Sequence, residues 1–236
     1  MASALYVLVP LSMVAAALSA AAYFRRSVMA GDLQDDEEVL IVDADRVDGY
    51  VMATGFAMLL VAVTGVVFLA WFLRARRNLE VLAAPRKRLG PGWAVGGWFL
   101  PVANLWAPMR TAHDLVRDSD PQADEVRRSS GQLLVVFWWA CFLAAEILYG
   151  AGTVYRGHGG PDVGLPRLTD APDFAGWETG DRLTGASYVL LVPAGILLLR
   201  LIRRVTTAQS RLLAAPPTPP RPTTPPRPVQ PPPAGG

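Results

Sequence analysis

Two polar side chains stand out because each lies in apolar surroundings. Asn104 is the single side-chain amide in the stretch from Gly92 to Pro108, which carries no charged residue. Its amide, with backbone carbonyls freed beside Pro101, could line a small polar pocket for a solute, an ion or a lipid headgroup. The alternative is that Asn104 caps a short helix or bonds a neighbouring one, and we favour this simpler interpretation.

Glu146 is the second of these residues, an acid inside a long apolar run. An ionisable group within a membrane segment is a functional candidate. Glu146 nevertheless lies close to Tyr149 and Gly150, towards the end of the run. There it can reach the membrane surface or pair with an arginine of the following loop, so ion or proton handling is the less favoured interpretation.

The other groups capable of chemistry are scattered. His113 and His158 have no second ligand at metal-binding spacing, and the single cysteine, Cys141, cannot form an intramolecular disulfide. No phosphate-binding loop, catalytic-triad context or zinc-protease motif occurs in the sequence. The carboxylates between Asp32 and Asp48 are expected to form a solvated face instead of an acid–base pair. The sequence therefore predicts no catalytic residues, no cofactor, no metal site and no enzyme.

The apolar runs that must position these groups are long. Hydrophobic residues make up 52% of the chain and charged residues 18%, against roughly a quarter charged in soluble domains. A helix that crosses a hydrocarbon core of about 30 Å needs about 20 apolar residues. Four runs meet this requirement, at about 4–24, 50–73, 132–149 and 183–202. They predict an all-α integral membrane protein with four transmembrane helices in a membrane domain of residues 1–213.

The first run has an alternative interpretation as a signal peptide that is cut near residues 20–22. Signal peptides begin with a positively charged region. Residues 1–4 carry no basic side chain, so we expect an uncleaved span.

Lysine and arginine are distributed unevenly, and this distribution predicts the orientation. With four spans, sixteen of these residues fall on one side of the membrane and six on the other. Basic residues in short loops are retained in the cytoplasm. We therefore expect a membrane protein with both termini, the loop between the second and third spans and the C-terminal segment in the cytoplasm.

The Trp-rich segment, residues 92–118, lies within that loop. A full crossing here would move the later arginines to the outside, so we predict an interfacial or re-entrant hairpin on the cytoplasmic side. Gly96, Gly97 and Pro101 are expected to break it, tryptophans to anchor it at the interface, and residues 109–118 to form an amphipathic helix. The candidate functional motif comprises Trp93, Gly96, Gly97, Trp98, Pro101, Asn104, Trp106 and Pro108.

The C-terminal residues 214–236 are rich in proline and cannot bury a core, so a disordered tail is predicted. Its Pro-Pro-Arg-Pro units have the composition of polyproline II ligands that dock in aromatic grooves. A solvated tail without a partner is the favoured interpretation.

Several of these stretches together resemble one bacterial family. They are Trp71–Asn78, the Trp-rich Gly92–Pro108, Asp43–Arg46, Trp138-Trp139 and Arg203–Gln209. The combination is similar to the actinobacterial membrane protein family known as domain of unknown function 4328. The resemblance implies a multi-span membrane protein and no catalytic residues.

The predicted function is that of a non-enzymatic membrane component that binds a protein or lipid partner through its cytoplasmic face. Membrane lipid is one expected partner, a protein bound by the cytoplasmic loop or tail is another, and nucleic acid is not expected. The alternative is a small-solute transporter or channel subunit that uses Asn104 and a fourth span kinked at Pro193 and Gly195. It ranks second because the first, second and fourth runs offer few polar side chains beyond Ser and Thr. A membrane enzyme ranks third.

Overall fold

The computed structural model describes residues 1–35, 44–82, 90, 92–159 and 174–214, and these residues form seven helices and no strand. The helices are α1 (Ala2–Asp35), α2 (Ala44–Leu82), α3 (Trp93–Phe99), α4 (Pro101–Asn104), α5 (Ala107–Ser119), α6 (Glu125–Gly159) and α7 (Phe174–Ala214). Four contain stretches long and apolar enough to cross a membrane: Ala2–Val28, Gly55–Val81, Glu125–Arg156 and Gly176–Ala214. The all-α class and four apolar spans are therefore confirmed.

The helices are longer than the apolar runs that predict them. α6 starts at Glu125 and ends at Gly159, although its run covers only 132–149. α7 starts at Phe174, inside the predicted last loop, and continues through Pro193. A helix satisfies its own backbone hydrogen bonds, so it need not stop where polar side chains begin. The predictions for residues 36–43, 83–89, 160–173 and 215–236, including the proline-rich tail, lie outside the described residues.

α7 is central and packs against α1 on one side and α6 on the other. It is antiparallel to both, because Asp181 meets Arg26 and Arg156 at one end, whereas Arg204 lies beside Gly131 at the other. The start of α6 and the end of α7 therefore share one end of the bundle. The start of α1 and the end of α2 join them there, since Leu5, Phe72, Leu79 and Ile202 belong to one buried cluster.

We term this end of the bundle the arginine-rich end. Its basic residues include Arg74, Arg76, Arg77, Arg127, Arg128, Arg203 and Arg204.

Glycines allow α7 to approach both neighbours closely. A Cβ atom at Gly152 of α6 would lie 2.7 Å from the carbonyl oxygen of Gly180, and one at Gly195 would lie 2.6 Å from Cγ of Met13 in α1. Small residues at such crossings bring helix backbones together where lipid offers no hydrophobic driving force. α2 is more peripheral and joins α1 through a 2.8 Å hydrogen bond between the hydroxyls of Ser12 and Thr64.

A buried ion cluster joins three helices at the opposite end of the bundle. Arg26 donates from Nε and Nη2 to the two carboxylate oxygens of Asp181 at 2.6 and 2.7 Å. Nη1 of Arg156 lies 3.5 Å from Oδ1 of the same carboxylate. Asp181 is 1% exposed, and both guanidinium groups lie over the ring of Tyr23, at 5.4 and 5.2 Å. This cluster holds α1 and α6 against the start of α7.

Asp181→Ala should destabilise the bundle by about 3–5 kcal/mol, because the substitution leaves two guanidinium groups without their buried counterion. Glu178→Ala, which breaks only the more exposed pair with Arg182, is the control and should cost about 1 kcal/mol or less. Thermal unfolding of the purified proteins in one detergent measures both. Equal midpoints for the two variants would contradict the assigned role of Asp181.

Candidate functional site

Trp98 is the centre of an aromatic cluster that joins α3 to α2 and α6. Its ring meets Trp139 and Phe142 of α6 edge-on, with centroids 5.5 and 5.8 Å apart, and Phe68 of α2 at 5.7 Å. It also lies 6.3 Å from Trp138. Edge-to-face contacts at these separations stabilise aromatic pairs beyond the burial of area. The Trp-rich segment is thereby fixed between the two spans that flank it in sequence.

The two adjacent glycines of α3 have different surroundings. A Cβ atom at Gly97 would lie 2.9 Å from Cβ of Ala107, whereas one at Gly96 would have no neighbour within 4 Å. Gly97 is therefore required for the close crossing of α3 and α5. The prediction that the glycines break the segment is wrong, because both lie inside α3.

The chain turns at Leu100, the residue before Pro101. Leu100 is extended, with φ −92° and ψ 114°, and Pro101 begins α4. Contact with the proline ring disfavours helical backbone at the preceding residue and explains this turn. The N–H of Asn104 donates to the Leu100 carbonyl at 2.7 Å, and Nε1 of Trp139 donates to the Leu105 carbonyl at 3.1 Å. The turn is therefore bonded both internally and to α6.

Two polar atoms beside this turn are buried without a hydrogen-bond partner among the described residues, Nε1 of Trp98 and Oδ1 of Asn104. No side-chain hydrogen bond caps the start of α4, at Leu100, or of α5, at Trp106. A buried donor or acceptor without a partner costs about 1–3 kcal/mol.

The tip of the segment exposes apolar side chains. We define the apolar tip as Phe99, Leu100, Val102, Leu105 and Trp106, which are 71, 52, 77, 59 and 42% exposed. Trp93 is 39% exposed at the start of α3, and Pro108 is fully buried near the start of α5. Contiguous exposed apolar surface indicates an interaction site for membrane or protein.

α5 returns from the tip to the arginine-rich end and is fixed there by Gln209 of α7. Nε2 of Gln209 donates to the Ala75 carbonyl at 2.9 Å and to the Ser119 hydroxyl at 3.1 Å. Its Oε1 accepts from Nδ2 of Asn78 at 3.1 Å. One amide therefore joins α2, α5 and α7. The sequence contains Gln209 and Asn78 in separate stretches, and nothing in their spacing indicates that they meet.

The polar face of α5 holds a small charged group. Arg117 donates to Asp114 at 2.8 Å and to Asp118 at 3.1 Å, and these carboxylates raise the pKa of the guanidinium. Partial burial lowers the pKa of His113 from its ordinary value, although Asp114 acts in the opposite direction. A cavity of about 430 Å³ lies next to the end of α5, between the turn into α6 and the end of α7, with Asp124, Arg127 and Arg211 among its lining residues.

Glu146 is exposed on α6 and forms no ion pair within the part of the chain that the structure describes. The arginine nearest to it along α6 towards the last loop, Arg156, is engaged by Asp181. Glu146 lies outside the Trp-rich segment in sequence. It is one helical turn beyond Phe142, whose ring contacts the ring of Trp98.

Four apolar helices with a Trp-rich segment held between two of them define a multi-pass helical membrane protein. A family model described as a domain of unknown function (DUF4328) matches residues 35–207. The chain belongs to this family. The match includes the Trp-rich segment and ends two residues before Gln209. No curated protein and no solved structure matches the chain.

Gly97→Ala should destabilise the protein by about 1–3 kcal/mol, because its new methyl group overlaps Ala107. Gly96→Ala is the matched control; its methyl group enters open space, and alanine in a helix should add up to about 1 kcal/mol. Tryptophan fluorescence during thermal unfolding in detergent reports on both variants. A Gly97→Ala protein as stable as the Gly96→Ala protein would refute the close crossing of α3 and α5.

Proposed function

We propose that this protein is a non-enzymatic component of the bacterial cytoplasmic membrane that binds a protein or lipid partner through its cytoplasmic face, at the apolar tip of the Trp-rich segment. The observation that carries the proposal is the exposure of the apolar tip at the turn of the Trp-rich segment. Such a surface suits a membrane or a protein with an apolar binding face.

The spacing of the charged layers supports a membrane position for the bundle. Asp181 and Arg203 are twenty-two residues apart on α7, which at 1.5 Å per residue is about 33 Å. This matches a hydrocarbon core of about 30 Å. The ion cluster around Asp181 and the arginine-rich end would then lie at the two surfaces.

Depth calculated from the helical rise per residue also supports a re-entrant path for the Trp-rich segment. Trp139, whose Nε1 donates to the Leu105 carbonyl, is eight residues beyond Gly131 on α6. Because Gly131 lies beside Arg204, Trp139 is about 12 Å deeper in the bundle than the layer that contains Arg204. The segment begins near Gly92 and returns to that layer at Ser119, which accepts from Gln209. Its backbone is helical except around the turn, and irregular backbone at membrane depth must be bonded within the protein.

We infer the orientation of the bundle in the membrane from the excess of arginine at the end where the Trp-rich segment begins. Basic residues are retained on the cytoplasmic side, so we place both ends of the described bundle, Met1 and Ala214, in the cytoplasm. The Arg26–Asp181 cluster then lies at the outer surface. The apolar tip would insert its side chains among the acyl chains of the inner leaflet.

Transport of a small solute is the second candidate function. The two partnerless atoms of Trp98 and Asn104 favour it, because they could bond a polar solute. The fourth span argues against it, since α7 continues through Pro193 and Gly195 is packed against Met13. Loss of a solute-dependent phenotype in an Asn104→Ala protein that inserts normally would favour transport over partner binding.

Cysteine accessibility tests the orientation. In a Cys141→Ala background, Glu80→Cys and Arg211→Cys should be protected from a membrane-impermeant thiol reagent in spheroplasts, and Arg25→Cys should be labelled. All three positions are exposed on the bundle. Labelling of positions 80 and 211 from opposite faces would exclude a re-entrant Trp-rich segment.

Photo-crosslinking tests the binding surface. A photoreactive amino acid at Val102, which is 77% exposed at the apolar tip, should form adducts in intact membranes with lipid acyl chains or with a partner protein. Val126, which is 78% exposed at the start of α6, is the control and should give only background. Mass spectrometry separates the lipid from the protein outcome. Equal adduct yields at both positions would contradict the proposal.

A further inference from the structure

We propose that the cavity beside the turn from α5 into α6 binds a phosphoethanolamine group, in which a phosphodiester and an ammonium group are joined by a short chain. The group would be the headgroup of a membrane phospholipid or a soluble compound with the same chemistry. This site is separate from the apolar tip. Its assignment to a lipid rests on the membrane position proposed above, whereas its assignment to the charged group does not.

The cavity lies where three helices end or begin. Its volume of about 430 Å³ is within the range of about 300–1,000 Å³ that is typical of sites for small ligands. Residues from the end of α5, the turn at 120–124, the start of α6 and the end of α7 line it. A ligand in this cavity would therefore contact all three helices at the arginine-rich end.

Hydrogen bonds within the protein fix the walls of the cavity. In the turn, the N–H of Ala123 donates to the Asp120 carbonyl at 3.2 Å. Oδ1 of Asp124 accepts from the N–H of Arg127 at 2.8 Å, and Gln209 holds the end of α5. A site that is ordered before its ligand arrives loses less entropy on binding.

The cavity has charged side chains of both signs. Two arginines, Arg127 and Arg211, and two aspartates, Asp120 and Asp124, line it. Within the described part of the chain, the guanidinium groups of Arg127 and Arg211 and the carboxylate of Asp120 have no hydrogen-bond or ion-pair partner. The neighbouring Arg204 is engaged, because it donates to the Arg127 carbonyl. Cations and an anion without partners in one cavity are suited to a zwitterionic ligand.

The chemistry of these groups identifies the two ends of the ligand. A guanidinium group matches the geometry of a phosphate, with which it forms charge-assisted hydrogen bonds. A carboxylate accepts hydrogen bonds from an ammonium group in the same way. The aspartates would repel a second negative charge on the ligand. A phosphodiester that carries an ammonium group therefore fits better than an anionic headgroup.

The depth of the cavity matches the headgroup layer of a bilayer. Arg127 and Ala208 each lie four residues outside the layer of Gly131 and Arg204, which is about 6 Å. The headgroup layer is about 5–8 Å thick on each side of the hydrocarbon. Side chains lean towards the N-terminus of their helix, so Arg127 leans away from the hydrocarbon and Arg211 leans towards it. The two guanidinium groups therefore converge at this depth.

Short-chain phosphatidylethanolamine is the probe, and native mass spectrometry of the full-length protein in detergent measures its binding. We expect saturable binding of one lipid per chain, tighter than that of phosphatidylglycerol with the same acyl chains. Arg211→Gln should weaken phosphatidylethanolamine binding about tenfold, because a charge-assisted contact to the phosphate is lost. Arg203→Gln, an exposed arginine of the same helix outside the cavity, is the matched control and should bind as the wild type does.

Asp120→Asn tests the ammonium end of the site. It should weaken phosphatidylethanolamine binding and strengthen phosphatidylglycerol binding, because the carboxylate attracts an ammonium group and repels an anionic lipid. Glu80→Gln makes the same change of net charge on the exposed surface of α2 and should leave the ratio of the two affinities unchanged. A purely structural role of Asp120 would lower both affinities together.

Glycerophosphoethanolamine, which has no acyl chains, distinguishes the two sources of the ligand. Weaker binding of this compound than of the lipid supports a phospholipid headgroup, and equal binding supports a soluble ligand with the same group.

Three results would overturn the proposal: no saturable binding of phosphatidylethanolamine, equal affinity of the wild-type protein for the two lipids, or an equal loss in Arg211→Gln and Arg203→Gln. Unchanged thermal unfolding of the variants excludes misfolding as the cause of a loss. Photo-crosslinking at Val102 does not depend on the cavity residues, so this proposal and the proposed function can fail separately.

Discussion

The arrangement of the arginine-rich end depends on one side-chain amide. Gln209 bonds the backbone of α2 and the last hydroxyl of α5, and it accepts from Asn78. The two bonds that Gln209 donates are buried and the one that it accepts is partly buried, and a buried amide with partners on two sides is costly to separate from either. Gln209 thus fixes where α5 ends. The aromatic cluster around Trp98 fixes where α3 ends, and together the two contacts determine the depth and direction of the Trp-rich segment.

The segment keeps almost all of its backbone helical, although it carries two glycines and a proline. Its one extended residue, Leu100, has its carbonyl bonded by the Asn104 N–H. Helical backbone needs no external partners, which is the requirement that a bilayer imposes on any segment inside it. Two side-chain atoms of the segment, Nε1 of Trp98 and Oδ1 of Asn104, are buried without a hydrogen-bond partner among the described residues. A ligand that bonds an unpaired side-chain atom removes the free-energy cost of burying it. An unpaired backbone group would destabilise the segment itself.

Composition and run length predicted the four spans and the all-α class, because twenty apolar residues have few other stable arrangements. The amphipathic pattern of residues 109–118 likewise predicted α5 within two residues of its start. Pairings between distant residues were not predictable. The pairing of Arg26 with Asp181, like that of Gln209 with Asn78, depends on how helices far apart in sequence align. The identity of a single side chain does not indicate that alignment. The role of Gly97 was misassigned for the same reason, since the neighbour that requires a glycine, Ala107, is known only after α3 and α5 are placed.

The ion cluster has a consequence for biosynthesis. Arg26 and Asp181 are 155 positions apart, and at translation rates of 5–20 residues per second the arginine waits about 8 to 30 seconds for its counterion. During that interval the first two helices emerge with a guanidinium group near hydrocarbon and without the central helix against which α1 packs. Assembly is completed only when α7 is synthesised, so a ribosome that stops early releases a chain whose charges cannot be neutralised internally.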